Sequence, residues 1–281
     1  TVQYLLDILF EKKKIQSLIQ IGANDGQSFD ELNLYIKKYE PKSILVEPIK
    51  ENFLKLKENY KNTNNIELEN SAISIDNEIS FLYKVDIKFE KKYDNHIPAI
   101  PSFSKKHLIN HGVKEKHIVK EKINTINVKE LINNVDVIAI GPGLGLDEWA
   151  HKIYEETLIS KTPLILDADA LNILSLKPIK RDNWILTPHP GEAAKLISKL
   201  TSQIQHDRLS SLEEIINQYQ ATVILKGNNT LVGNSQRVPY MINAGNPGMA
   251  SAGMGDLLTG LTAGLLAQFL RHDYCQIAAL S

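Results

Sequence analysis

The sequence predicts an α/β protein built on one or more open, mostly parallel sheets flanked by helices. Two observations indicate this class. Short apolar runs such as "SLIQIG" and "TVILKG" have the length of buried strands, and several are followed by segments with apolar residues at helical spacing. Small and polar residues also follow these runs directly, which is typical of sheets that bind ligands at the carboxyl ends of their strands.

The composition favours small molecules as partners. A chain of 281 residues can bury a sizeable core, and a formal net charge of −1 gives no general attraction to nucleic acid or to a membrane surface. The one cysteine, Cys275, excludes an internal disulfide framework and a multi-cysteine metal cluster. It therefore favours a reducing compartment, and we expect a cytoplasmic protein. A homo-oligomer stays open.

Neither apolar segment near the ends of the sequence predicts a membrane anchor. Residues 1–14, "TVQYLLDILFEKKK", predict an amphipathic helix rather than a signal peptide, because Asp7 interrupts the apolar run and the lysines follow it. The longest uncharged apolar stretch, residues 257–270, contains Gly and Thr and is shorter than the roughly 18 residues of a spanning helix.

The composition changes partway along the chain. Residues 1–135 hold 21 lysines, no arginine and three glycines, whereas residues 136–281 hold seven lysines, all four arginines and twelve glycines. We therefore predict two regions with a boundary near Val135. A single hybrid sheet and two abutting α/β lobes are equally compatible with the sequence.

The first region begins with a predicted βαβ unit. "SLIQIG" and "SILVEP" predict strands, and "SFDELNLYIKKY" and "KENFLKLKENYKN" predict the helices that follow them. Gly22 and Gly26 flank the turn after the first strand, where a ligand could approach the backbone. Glu47 follows the second strand about 20 residues later, a position suited to ribose hydroxyls. A purely structural turn is the alternative.

Four histidines follow in a polar segment: His96, His107, His111 and His117. Their spacing matches no metal motif, so we predict solvated histidines and no metal site.

Residues 15–140 resemble the front of an FkbM-type S-adenosylmethionine methyltransferase, which has a Rossmann-like fold. The resemblance rests on "IQIGANDGQSFD", "SILVEPIKENFLKLKENYKN", "IELENSAIS" and "INTINVKELINNVDVIAI". It implies that S-adenosylmethionine is bound by Gly22, Asn24, Gly26, Glu47, Ser71 and Ala72. In that assignment the first three line the methionine part, Glu47 takes the ribose, and the last two flank the adenine. The pattern breaks after "VDVIAI", where "GPGLG" replaces the family's Asp-x-Glu-Gly segment.

The second region predicts a phosphate-binding edge. "VIAIGPGLG", "LILDADALNIL", "WILTPHPGEAAKL" and "TVILKGNNTLV" each combine a strand-like run with Gly, Pro, Asp, Asn or Thr, and "GNPGMASAGMGDLLTG" follows. The glycines up to Gly255 lead into an apparent helix near Asp256, so their amides could form an anion hole beside a carboxylate. Asp256 could accept a proton from a hydroxyl that attacks a phosphoryl group, or it could only cap the helix.

Other polar residues at these strand ends have two interpretations each. Lys226 could hold nucleotide phosphates or could be an ordinary surface lysine. His189, between two prolines, could bond a ligand or could be structural. Asp167 and Asp169 could hold the sheet edge in place or could help to position a metal ion.

Residues 136–281 resemble the carboxyl-terminal domain of YjeF-type proteins, the ADP- or ATP-dependent NAD(P)H-hydrate dehydratases of the ribokinase-like superfamily. "TPHPGE" together with "GNPGMASAGMGD" is more specific than any single glycine-rich loop. The resemblance implies that Asp256 is the base on the hydrate hydroxyl and that His189 and Gly143 contact the hydrated NADH or NADPH. It also implies Mg²⁺ and an ADP or ATP site formed by Lys226, Gly227, Asn228, Asn229, Thr230, Gly253 and Gly255.

The sequence thus supports three functional hypotheses. The first is dehydration of hydrated NAD(P)H by phosphorylation of its hydroxyl and loss of phosphate, since those motifs are intact. The second is an S-adenosylmethionine-dependent methyltransferase, and the third is a nucleotide-binding remnant without activity.

Overall fold

The computed structural model of the chain describes residues 17–28, 32–75, 80–94, 97, 100–133, 135–244, 254–268 and 273–281. The helix predicted for residues 1–14, together with His96 and Gly253, lies outside these ranges. The chain divides into two compact units, Thr1–Glu130 and Leu131–Ser281. The sequence predicted a boundary near Val135.

The first unit opens with the four elements that the sequence predicted. These are β1 (Ser17–Ile21), α1 (Leu32–Tyr39), β2 (Lys42–Val46) and α2 (Lys50–Asn59), and they are followed by β3 (Ile66–Glu69). The three strands form a parallel sheet in the order β1-β2-β3. A core of Ala23, Ile36, Leu45, Leu56 and Tyr60 joins both helices to this sheet. The βαβ prediction is therefore confirmed.

The rest of the first unit consists of short pairs of strands. Its elements are β4 (Ala72–Ser74), β5 (Ser80–Val85), α3 (Lys105–Asn110), β6 (Ile118–Ile123) and β7 (Thr125–Asn127), and α4 (Val128–Ile132) crosses the unit boundary. β4 pairs with β7 in parallel, and β5 pairs with β6 in antiparallel orientation.

One of the predicted solvated histidines is buried. The ring of His117 stacks on Phe89 with 4.0 Å between ring centroids, and its Nδ1 lies 2.6 Å from the Tyr93 hydroxyl. The prediction is wrong for His117 because neighbouring aromatic rings, which the histidine spacing does not reveal, enclose it. His111 is exposed, as predicted.

The second unit contains a six-stranded sheet. Its elements are β8 (Ile138–Ile140), α5 (Glu148–Ile159), β9 (Leu164–Leu166), α6 (Ala168–Leu176), β10 (Trp184–Leu186), α7 (Pro190–Leu196), α8 (Thr201–His206), α9 (Arg208–Tyr219), β11 (Thr222–Leu225), β12 (Thr230–Asn234), β13 (Arg237–Ile242), α10 (Met254–Gln268) and α11 (Tyr274–Leu280). The strand order is β13-β12-β11-β10-β9-β8. β8 to β11 run parallel, and β12 and β13 are antiparallel additions at one edge.

The central strands are buried along their whole length. Every residue of β9, β10 and β11 is buried, as expected where helices cover both faces of a parallel sheet. Ile165, Ile185 and Ile224 share one core with Leu266 of α10 and with Cys275. Burial raises the pKa of the Cys275 thiol to about 11, so this side chain is an apolar core residue at neutral pH.

The parallel strands bring their carboxyl ends to one edge of the sheet. The hydrogen-bond ladder continues past the strands there: Asp167 N donates to Ile140 O, Thr187 N to Leu166 O, and Lys226 N to Pro188 O. The predicted gathering of polar residues at this edge is confirmed. Among the described residues, no helix is both long and apolar enough to cross a membrane.

Gly26 provides a test of packing in the first unit. It has a φ of +69°, and a methyl group at this position would lie 2.5 Å from Leu56 Cδ1 and 2.5 Å from Tyr60 Cε2. Gly112 has a φ of +84° and open space around it. We expect Gly112→Ala to lower the free energy of unfolding by about 1–2 kcal/mol through backbone strain alone. Gly26→Ala is expected to cost about 1–3 kcal/mol more through overpacking.

Urea unfolding of the two variants measures this difference. An equal loss of unfolding free energy from both substitutions would mean that the side chains of Leu56 and Tyr60 move away from the added methyl group at no energetic cost.

Candidate active site

The loop after β8 passes directly over the loop after β9. Gly141 has a φ of +134°, and a methyl group on it would lie 1.8 Å from the carbonyl oxygen of Asp167. Gly143 and Gly145 have φ values of +67° and +81° with open space around them, and Gly145 N donates to Asp169 Oδ2 at 2.9 Å. Only glycine permits the close approach at Gly141, whereas Gly143 leaves its surroundings free for a ligand.

Asp167 connects this edge of the sheet to α10. Its side chain is 3% exposed. Oδ1 lies 2.7 Å from Lys226 Nζ, and Oδ2 accepts a hydrogen bond from Thr259 Oγ1 at 3.0 Å. Ala168 follows with a φ of +45°, which a residue with a side chain rarely adopts. Of the two interpretations of Asp167, the structure supports the one in which it holds the sheet edge.

The first turn of α10 rests on this ion pair. A methyl group on Gly255 would lie 3.3 Å from Asp167 Oδ2 and 3.8 Å from Lys226 Nζ. Asp256 is the next residue, and it is exposed. Because α10 begins at Met254, Asp256 lies inside the first turn rather than at the N-cap. Its side chain is exposed in the first turn of this helix, next to the contact that Gly255 makes with the ion pair.

His189 caps the helix that follows β10. Its Nδ1 accepts from Gly191 N at 2.9 Å and from Glu192 N at 3.3 Å, while the Glu192 carboxylate accepts from His189 N at 2.8 Å. These bonds assign the ring proton to Nε2, because Nδ1 acts as the acceptor. The side chain is 56% exposed. The structure therefore supports the structural interpretation of His189, and its Nε2 lies 3.4 Å from Glu192 Oε1.

The ammonium group of Lys226 is already paired. Besides the contact with Asp167, it lies 3.8 Å from Glu192 Oε2, and the side chain is 21% exposed. The lysine that the sequence suggested for nucleotide phosphates therefore has its charge compensated within the protein.

The segment after Lys226 forms the tight turn between β11 and β12. Gly227, Asn228 and Asn229 are exposed, and Thr230 Oγ1 donates to Gly227 O at 3.0 Å. Asn229 has a φ of +54°. The predicted nucleotide loop thus lies at the same edge of the sheet as Asp167 and Gly255, with its polar groups accessible.

In the first unit, the predicted cofactor turn is held by Glu47. Gly22, Asn24 and Gly26 all have positive φ values. Glu47 is 4% exposed; one carboxylate oxygen accepts from Asn24 N at 2.9 Å and the other from Ile49 N at 2.8 Å. Burial raises the pKa of the Glu47 carboxyl, and these two hydrogen bonds oppose that rise. The Glu47 carboxylate therefore links the turn at Asn24 to the end of β2 by a hydrogen bond.

The two residues predicted to flank an adenine are also buried. Ser71 and Ala72 are 4% and 5% exposed, and the Ser71 hydroxyl donates to Glu69.

Three residues of the second-unit site were missed from the sequence. Glu192 could have been found, because "HPGE" has the spacing of a capping box, with the acid three residues after the cap. Thr259 and Arg208 give no local signal. Thr259 bonds to Asp167 across 92 residues, and Arg208 bonds to carbonyl groups 17 and 18 residues later in the chain.

Residues 100–281 match the sequence model of the family described as NAD(P)H-hydrate dehydratase. The chain belongs to this family. The match begins well before residue 136, inside the region that the sequence assigned to a methyltransferase front.

Several relatives are similar to about half of the chain. A bifunctional NAD(P)H-hydrate repair enzyme of Coxiella burnetii is 43% identical over 144 residues, which cover 51% of this chain and 30% of that protein. An ADP-dependent (S)-NAD(P)H-hydrate dehydratase of Neisseria meningitidis is 41% identical over 143 residues, which cover 48% of each. The matched segment thus spans less than half of either relative.

Two solved structures share the fold over nearly the whole chain. A ribokinase-like superfamily protein of Enterococcus faecalis is 20% identical with a TM-score of 0.57, and the match covers 98% of this chain and 83% of that one. A protein of Streptococcus mutans is 19% identical with a TM-score of 0.58, covering 97% and 85%. The fold is therefore ribokinase-like α/β. The predicted methyltransferase front gains no support from these matches.

The ion pair between Asp167 and Lys226 can be tested by a double-mutant cycle. Removing one member leaves a largely buried charge unpaired, so Asp167→Asn and Lys226→Met are each expected to cost about 3–5 kcal/mol of unfolding free energy. The double variant should lose clearly less than the sum of the two.

The exposed pair of Lys152 and Glu148, 2.7 Å apart on α5, is the control. Its coupling should stay below about 0.5 kcal/mol. Equal coupling in both cycles, measured by denaturant unfolding, would mean that the Asp167 pair contributes no more than a surface contact.

Proposed function

We propose that the chain catalyses the ADP- or ATP-dependent dehydration of hydrated NAD(P)H. The observation that carries this proposal is the meeting of Gly255 and Asp256 with the loops after four parallel strands at one sheet edge. Membership of the NAD(P)H-hydrate dehydratase family and the printed name of the Neisseria relative support it. Since the chain spans only part of its relatives, the activity and its substrates are proposals for this protein.

The nucleotide would lie along the loop of residues 226–230 and the start of α10. Gly227 and Asn228 are exposed, and Gly255 has no side chain at the start of α10, so the backbone amides of this edge are suited to phosphate oxygens. Gly253, the other glycine assigned to this site, is outside the described residues. Lys226 would take part only by sharing its ammonium group between Asp167 and a phosphate.

Mg²⁺ would neutralise phosphate charge when it is bound with the nucleotide. Among the described residues, no group of three or more His, Cys, Asp or Glu side chains is placed to hold a metal ion. Asp256 and Asp169 offer carboxylate oxygens at this edge, and such ions are usually held by one or two carboxylates together with the nucleotide phosphates. The residues therefore fit a metal ion that arrives with the nucleotide.

Asp256 would act as the base. Its exposed carboxylate takes the proton from the hydroxyl on the reduced nicotinamide ring, and that oxygen attacks the terminal phosphoryl group of ADP or ATP. The nucleotide leaves as AMP or ADP. Loss of inorganic phosphate and of a proton from the neighbouring ring carbon then restores the double bond of NADH or NADPH. His189, with its Nε2 proton, and the open turn at Gly143 would contact the substrate.

The compartment, the partners and the oligomeric state stay predictions from the sequence. We propose a cytoplasmic protein that acts on small nucleotides without nucleic acid or membrane partners, and a homo-oligomer stays open.

The first unit supports a second candidate function, S-adenosylmethionine binding of the FkbM type. The supporting observation is the parallel β1-β2-β3 sheet with a turn of positive φ at Gly22, Asn24 and Gly26 beside Glu47. The burial of Glu47 and its two hydrogen bonds from backbone N–H groups limit this candidate, since ribose hydroxyls would have to share an occupied carboxylate.

Titration with S-adenosylhomocysteine tests the second candidate. We expect weak binding, and Glu47→Ala should weaken it by about 1–3 kcal/mol because the ribose hydroxyls lose a charged partner. Calorimetry at millimolar ligand is the measurement. No heat from the folded protein would leave the first unit without this function.

Asp256→Asn tests the main proposal. The amide keeps the size of the side chain but cannot accept the proton, so recovery of NADH absorbance from its hydrate, with ADP or ATP and Mg²⁺, should fall by roughly 10²–10⁴-fold. ADP binding should survive. Asp182→Asn is the control, because Asp182 is exposed just before β10, at the other end of that strand.

Two outcomes would contradict the proposal. A parent protein that does not convert the hydrate would refute the activity, and an Asp256→Asn variant as active as the parent would refute the role of the base.

A further inference from the structure

Arg208, the first residue of α9, forms hydrogen bonds to the backbone at the start of the predicted nucleotide loop. Its Nη2 donates to Leu225 O at 2.9 Å and to Lys226 O at 3.3 Å, and its Nη1 donates to Gln205 Oε1 at 3.2 Å. Gly227 has a φ of +141°, and a methyl group on it would lie 2.9 Å from Nη1. The guanidinium thus holds the end of β11 and packs against the first residue of the turn.

The charge of this guanidinium is not compensated by a neighbouring acid. Within the part of the chain that the structure describes, Arg208 has no carboxylate within 4.0 Å, and its Nε is buried without a hydrogen-bond partner. Burial also lowers the pKa of the guanidinium. A partly buried cation without a counter-charge is costly unless something offsets it. Carbonyl oxygens satisfy its hydrogen bonds but carry no full negative charge.

The positive charge of the neighbouring Lys226 is outweighed by the two carboxylates beside it. Lys226 lies 2.7 Å from Asp167 and 3.8 Å from Glu192, so these three groups together carry one excess negative charge. Asp256 adds another carboxylate in the first turn of α10, directly after Gly255. A nucleotide phosphate would therefore be repelled unless other positive groups lie close to the loop that receives it.

We propose that Arg208, rather than Lys226, is the residue that positions the loop of residues 226–230 and supplies uncompensated positive charge to the nucleotide phosphates. The charge assignment rests on the proposed function, whereas the positioning of the loop does not. Arg208 is a positioning residue in this assignment, because its guanidinium binds backbone carbonyl groups at the start of the loop and does not contact the nucleotide.

Arg181 offers a matched control. Its guanidinium donates to Leu158 O at 3.1 Å, to Ser160 O at 2.8 Å and to Thr162 O at 2.6 Å, and burial lowers its pKa as well. These carbonyls precede β9, at the opposite end of the strand from Asp167. Arg181→Met therefore removes the same kind of interaction without touching the loop.

Hydrogen exchange of the folded protein without ligand tests the positioning role. In Arg208→Met we expect the amides of residues 226–234 to exchange at least tenfold faster, with β9 unchanged. In Arg181→Met the same amides should exchange as in the parent. Unchanged exchange of residues 226–234 in Arg208→Met, or equal acceleration throughout the second unit, would overturn the positioning role.

Titration with ADP at low and high salt tests the charge. We expect Arg208→Met to raise the Kd for ADP at least tenfold and to flatten its dependence on salt. Arg208→Lys should retain the salt dependence with an intermediate Kd, because it keeps the charge but cannot span two carbonyls. Arg181→Met should bind as the parent does.

The outcomes separate this inference from the proposed function. An Arg208→Met variant that binds ADP as tightly as the parent would overturn the charge assignment. A parent that binds no ADP would overturn the charge assignment and the proposed function together, and the positioning of the loop would still be decided by hydrogen exchange.

Discussion

The ion pair of Asp167 and Lys226 is the interaction on which this edge of the sheet depends. One buried carboxylate receives the ammonium group from the end of β11 and the hydroxyl of Thr259 from α10. The backbone carbonyl of the same aspartate lies directly against Gly141. Three strand ends and one helix therefore take their relative positions from a single residue. Because this carboxylate is buried, the position of each partner is linked to those of the others.

Several residues around the Asp167–Lys226 ion pair have backbone conformations or close contacts that few side chains allow. Gly141 and Gly255 are small because another residue occupies the space of a side chain, whereas Gly143 and Gly145 have open surroundings. Ala168 has a left-handed conformation beside the ion pair without the freedom of glycine. Such strain is maintained only where surrounding contacts determine the conformation, and it is common at functional sites. The glycines of this edge thus serve two separate purposes, close packing and access.

Periodicity and strand-end chemistry predicted much of the fold. The apolar runs became β1, β2 and β8 to β11, and their polar successors met at one edge, because parallel strands leave little choice of where their carboxyl ends lie. Pairings across long stretches of chain could not be predicted. Lys226 looked free because nothing near it in sequence is acidic, yet Asp167 lies 59 residues earlier. The burial of Glu47 likewise depends on contacts that its position after a strand does not reveal.

The distances along the chain between these partners also bear on how the protein folds. Asp167 meets Lys226 only after 59 residues have been placed, and Thr259 only after 92. Closing such long loops costs entropy before any contact offsets it, so assemblies of this kind form slowly. The candidate site cannot form in a nascent chain that ends before α10. Until that helix docks, Asp167 and Lys226 can pair, but the carboxylate has no hydroxyl from Thr259 to complete its hydrogen bonds.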